Sequence, residues 1–163
     1  MKEIEFKIKG LMMDPLTNAP IVVLQEASSD TLLPIWVGIF EANAIALEIE
    51  KVDTPRPMTH DLIKGLLGHL DVKVTKIVVT ELKDNTFYAL IFLDAGGKVI
   101  PVDSRPSDAI ALALRTGSPI FVTDEVLAKS SSAAAVSAER STPEDIRKWL
   151  ENLNPDDLGK YKM

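Results

Sequence analysis

Two short stretches gather the side chains that could do chemistry. Asp103-Ser104-Arg105-Pro106-Ser107-Asp108 crowds three charges and two hydroxyls into six residues, and six apolar residues, Ala109 to Leu114, follow without a break. Arg56-Pro57-Met58-Thr59-His60-Asp61 brings a guanidinium, an imidazole and a carboxylate together. An arginine beside a helix N-terminus suits phosphate, because free backbone N–H groups and the helix dipole favour an anion. Carboxylates such as Asp103 and Asp108 can hold a divalent metal. A first-turn imidazole such as His60 can serve as general base or phosphate contact. The same spacing has a second reading, which it leaves open. Asp108 and Arg115 are two helical turns apart and Arg105 is three residues before Asp108, so all three can form a structural ion network with Glu41 or Glu48.

Other signatures are absent. The chain has no glycine-rich phosphate loop with lysine, no Gly-x-Ser-x-Gly elbow, no His-Glu-x-x-His and no EF-hand loop. His60 and His69 are nine residues apart and project from opposite sides of one helix, so they cannot share a metal. Cysteine is missing altogether, which excludes disulfides, thiolate nucleophiles and cysteine-ligated zinc.

The elements that must position these groups follow from hydropathy patterning. Ile4, Phe6 and Ile8 alternate with charged residues as in a half-buried strand, and Pro20–Leu24 and Thr31–Val37 continue the strands. Gly38 opens a helix to about Val52, a proline-stiffened connector follows, and Thr59 is placed to cap a second helix to Leu70. Val72–Leu82, Thr86–Leu93 and Lys98–Val102 read as three more strands, with Ser104 as cap of a helix over Ser107–Thr116. Both halves run three strands and then a helix, and both helices carry Ala-Ile-Ala-Leu, at 44–47 and 109–112. The pattern predicts an α+β fold: a largely antiparallel or mixed β-sheet with helices packed on it, in two similar three-strand-plus-helix halves. Residues 1–128 form the expected domain. The small, featureless run at 129–141 reads as a flexible linker, and Thr142-Pro143-Glu144-Asp145 signals a helical tail over 142–163.

With 163 residues the chain is long enough for one core. No apolar run reaches membrane-spanning length and no signal-peptide core opens the chain, so a cytoplasmic location is expected. Its net charge of -6 argues against a protein that coats nucleic acid by phosphate contacts alone. An enzyme in which bound metal supplies the positive charge remains compatible with it. The single glutamine points to a heat-adapted, thermophile source. A helix as apolar as Ala109–Leu114 on a one-sheet domain also leads us to expect a homodimer.

Gly38-Ile-Phe-Glu-Ala-Asn-Ala-Ile-Ala-Leu-Glu-Ile-Glu, Pro55-Arg-Pro-Met-Thr-His-Asp-Leu-Ile, Asp103-Ser-Arg-Pro-Ser-Asp-Ala-Ile-Ala-Leu-Ala-Leu-Arg and Pro119-Ile-Phe-Val, in that order, resemble the bifunctional nuclease domain family. The resemblance covers roughly residues 1–128 and implies a nuclease acting on DNA and RNA, in bacteria a small cytoplasmic dimer. It offers Glu41, Arg56, His60, Asp61, Asp103, Arg105, Ser107 and Asp108 as site candidates. The resulting expectation is a metal-assisted phosphodiesterase of low sequence specificity. His60, Asp61 and Asp108 would be catalytic, and Arg56, Arg105 and Ser107 would bind substrate. Asp103, Asp108 and Glu41 would hold Mg²⁺ or Mn²⁺. The rival is a non-catalytic dimeric interaction or regulatory module whose Arg/Asp clusters are structural.

Overall fold

The computed structural model describes residues 2–137, with side chains as far as Ser130; the tail expected at 142–163 lies outside them. The chain runs β1 (Glu3–Met13), β2 (Pro20–Glu26), β3 (Leu32–Trp36), α1 (Ile39–Ile49), α2 (Thr59–His69), β4 (Val72–Lys83), β5 (Thr86–Ala95), β6 (Lys98–Ser104), α3 (Pro106–Thr116), β7 (Ile120–Thr123) and α4 (Asp124–Ser137). The seven strands form one mixed sheet in the order β3-β2-β1-β7-β4-β5-β6.

That order has the symmetry the sequence pattern suggested. Each half is an antiparallel meander whose first strand is innermost, and β7 fills the gap between them. β7 runs antiparallel to β1 and parallel to β4, so β1 and β4 point in opposite directions, as a local two-fold requires. Local turn chemistry sets the second meander. Asp84 and Asn85 both take positive φ, 52° and 60°, and Gly96 and Gly97 take 63° and 91°, giving two-residue turns whose twist matches the strands they join.

One face of the sheet builds the core. Phe6, Val22, Leu24 and Ile35 from one half meet Ile77, Val79, Ala89 and Ile91 from the other, under α1 and α3. The small side chains Ala42 and Ala46 on α1 and Ala109 and Ala113 on α3 are essentially fully buried. The two Ala-Ile-Ala-Leu helices lie side by side, close enough for the Arg115 guanidinium to donate to the Ala44 carbonyl at 2.8 Å.

Three local expectations are corrected. Helix α3 has Arg105, not Ser104, at its N-cap, and the Ser104 hydroxyl donates to the Arg105 carbonyl instead. Thr59 is the first residue of α2, and Asp61 does the capping by accepting the Met58 N–H at 3.0 Å. The run expected to be a linker from 129 is helical to Ser137, within α4. Alanine is the strongest helix former and loses no side-chain entropy, so a small, featureless composition suits a helix as well as a linker. The Thr123 hydroxyl accepts the Val126 N–H, and Asp124 and Glu125 complement the dipole of the first turn.

Candidate active site

Three helix N-termini carry the polar groups. Glu41 is the third residue of α1, Asp61 the third of α2 and Asp108 the third of α3, while His60 is the second residue of α2. Acids there complement the positive end of each helix dipole. What distinguishes this arrangement is that they are bridged. Arg105 lies between α1 and α3, with one Nη at 2.9 Å from Glu41 and the other at 2.8 Å from Asp108. Its Nε also donates to Asp108, at 2.9 Å, so two N–H groups converge on one oxygen of that carboxylate. The other oxygen of Asp108 meets His60 Nε2 at 2.9 Å. The result is a continuous chain from Glu41 through Arg105 and Asp108 to His60.

Protonation along this chain follows from its partners. Asp108 beside Arg105 holds the guanidinium protonated above its ordinary range, with Glu41 adding to the effect against a small loss from burial. A carboxylate only accepts, so Nε2 of His60 carries the proton and neutral His60 keeps its free lone pair on Nδ1. Among the described residues Nδ1 has no hydrogen-bond partner. His69 takes the opposite tautomer: its Nδ1 lies 2.7 Å from the Gly65 carbonyl, so Nδ1–H is the donor. Exposure is graded along the chain. The Arg105 side chain is 65% exposed, Asp108 30%, and His60 only 10%, so the cation reaches solvent while the base sits beneath it.

Arg115 has the opposite character. Its side chain is 3% exposed, and it donates to Asp61 at 2.8 Å, to Ala111 in its own helix at 2.8 Å and to Ala44 of α1. Burial raises the Asp61 carboxyl, but the Met58 N–H and the Arg115 guanidinium outweigh it and hold the group below its ordinary value. Spacing pointed to Glu41 or Glu48 as the acid partner of Arg115, and the structure pairs it with Asp61 instead. The available signal was a long charged side chain within an alanine-rich buried helix, which requires a nearby carboxylate.

The remaining candidates divide. Arg56 is exposed in the proline-stiffened connector, and its guanidinium pairs with no acid among the described residues. Ser107 is buried at 6% exposure, as deeply as His60 at 8%. Asp103 pairs in register with Leu90, whose neighbours Ala89 and Ile91 face the helices. Side chains alternate along a strand, so Asp103 lies on the far side of the sheet from Asp108. Glu41 and Asp108 already share Arg105. Among the described residues no three His, Asp or Glu side chains gather where they could hold a metal ion. The proposed ligands Asp103, Asp108 and Glu41 therefore do not fit a resident metal in this arrangement.

Neighbouring helices on a pseudo-symmetric sheet, with a bridged Arg/Asp/His chain at their N-termini, define a single α+β module. The chain belongs to the bifunctional nuclease domain family, whose model matches residues 22–135. It is 38% identical to an uncharacterized protein of Mycobacterium tuberculosis over 162 residues, covering 94% of this chain and 97% of that one. Bifunctional nuclease 1 of Arabidopsis thaliana is 27% identical over 137 residues, and the matched region is 82% of this chain but 42% of the plant protein. Bifunctional nuclease 1 of Oryza sativa subsp. japonica is 29% identical over 114 residues, 68% of this chain and 34% of the plant protein. The nuclease names thus belong to proteins at least twice as long as the region they share with this chain. No helix among the described residues is long and apolar enough to cross a membrane.

Proposed function

We propose that this protein is a cytoplasmic nuclease of low sequence specificity that hydrolyses phosphodiester bonds in DNA and RNA. The observation that carries the reading, within a family whose plant members are named nucleases, is the His60–Asp108–Arg105 chain. It joins a base, an orienting carboxylate and an exposed cation. Arg105 and the unpaired Arg56 draw a backbone phosphate to the helix N-termini. His60 Nδ1 takes a proton from water as its oxygen attacks phosphorus, and Asp108 stabilises the imidazolium that forms. Arg105 neutralises the charge that builds on the non-bridging oxygens. The phosphorus–oxygen bond to the leaving group breaks, and that oxygen is protonated from solvent. Attack by water needs no ribose 2′-hydroxyl, which suits both DNA and RNA. The mechanism routes no step through Mg²⁺ or Mn²⁺.

The test uses highly purified protein on supercoiled plasmid and on RNA, with and without chelator. His60→Gln is expected to lower the rate at least about 100-fold, the lower end of what a general base contributes. Chelator is expected to leave wild-type cleavage unchanged. Equal cleavage by wild type and His60→Gln, tracing the activity to a contaminant, would overturn the assignment. Cleavage abolished by chelator would restore a divalent cation to the scheme.

The same reading includes a homodimer. Leu62 and Leu66 on α2 and Leu70 at its C-cap recur every fourth residue and are each more than half exposed, and Phe40 on α1 is 72% exposed. Exposed apolar stripes of this kind mark protein–protein surfaces. Light scattering at micromolar concentration is expected to give twice the chain mass, and Leu66→Glu to give one; a wild-type monomer would refute the dimer.

A further inference from the structure

We propose that Arg115, acting through Asp61, is the positioning residue that holds His60 against Asp108. This rests on the nuclease reading only for its kinetic consequence; its structural claim stands apart. His60 has one hydrogen bond of its own, to Asp108, and a single bond leaves an imidazole free to rotate about it. The adjacent Asp61 is held at both oxygens. One accepts the Met58 N–H, which closes the first turn of α2, and the other accepts Arg115 Nε. Arg115 is itself anchored at two carbonyls, Ala111 on α3 and Ala44 on α1. One guanidinium thereby ties the first turn of α2, which carries His60, to α3, which carries Asp108, and references both to α1, which carries Glu41. Only arginine presents several N–H donors in a rigid planar fork, so lysine at 115 keeps the charge and loses the geometry.

The chain's two histidines supply the readout. In the wild type, long-range proton–nitrogen spectra are expected to show His60 with its proton on Nε2 and His69 with its proton on Nδ1. Arg115→Lys should convert His60 to a mixture of tautomers and leave His69 as it was. A role confined to stability would lower the melting temperature and leave the His60 tautomer intact in the folded variant. That result would overturn the proposal. If Arg115→Lys does not fold, Asp61→Asn, which alters the partially exposed end of the same contact, is read in the same way. In the plasmid assay Arg115→Lys should lower kcat roughly 10- to 100-fold with KM unchanged, the scale on which a small misplacement acts. Combined with His60→Gln it should add little further loss. Absence of cleavage in the wild type would remove the nuclease reading, while the His60 tautomer would still decide the positioning claim.

Discussion

Arg105 at the N-cap of α3 and Arg115 in its last turn both pair with acids, yet their surroundings assign them different work. Arg105 is mostly exposed, and an exposed ion pair contributes little to stability. Asp108→Asn is therefore expected to cost only about 1 kcal/mol in denaturant melts while impairing whatever the site does. Arg115→Ala leaves a carboxylate and two backbone carbonyls without their partner in a packed interface. It is expected to cost about 3 kcal/mol or more, with a matching fall in denaturation midpoint. Equal costs for the two would mean that exposure does not separate them. Asp61 supplies a pH signature. Its carboxyl is lower in the folded chain, so its stabilisation is fully present above the ordinary value of 3.8 and is lost as pH falls through the lowered folded value. Asp61→Asn should flatten that acid limb of the stability curve and leave the limb above pH 5 parallel to wild type.

Among the elements, α1 and α3 pack against each other over the core face of the sheet. Ala113 is 1% exposed, and Ala113→Leu forces extra volume into the close-packed core under α3, with an expected cost of about 1–3 kcal/mol by thermal melting. At the start of α1 the constraint is different. Gly38 has an ordinary extended backbone, but a Cβ there would run into the Glu41 carboxylate. Gly38→Ala should turn Glu41 away from Arg105 and increase exchange of the Arg105 side-chain N–H with solvent, with little change in melting temperature. The strands were legible because their signal, period-two alternation, is local. The buried α3 was legible from its six-residue apolar run. The partners of Arg115 were not, since Asp61 and Ala44 are 54 and 71 residues away in sequence. Asp103 failed for a related reason. Alternation shows which residues share a face of β6, but which face the helices cover is settled only by the assembled sheet.

For the whole molecule, the duplicated pattern was visible as repeated strand–helix order, and the structure arranges it as two meanders about a common strand. Residue spacing does not reveal that Pro119-Ile-Phe-Val marks the centre of the sheet, because four apolar residues carry no information about their neighbours. Its consequence is that Glu41 of the first half and Arg105 of the second meet at one bridge. The candidate site therefore belongs to neither half alone. Separately expressed halves are expected to lack the His60 tautomer signature, and mixing them should restore it only if the sheet re-forms.

The place of β7 bears on how the protein comes into being. The two innermost strands are complete once residue 83 has been made, but the strand that joins them ends at Thr123. Until then a growing chain carries two meanders, each with an unpaired inner edge able to recruit a neighbour. Synthesis halted before Ile120 should leave a species prone to aggregate, and a helper that shields strand edges should raise its yield. In refolding, amide protons of Ile77–Val79 and Ile4–Phe6 are expected to become protected in the same step as those of β7. Earlier protection of either meander would show that it folds without the strand between them.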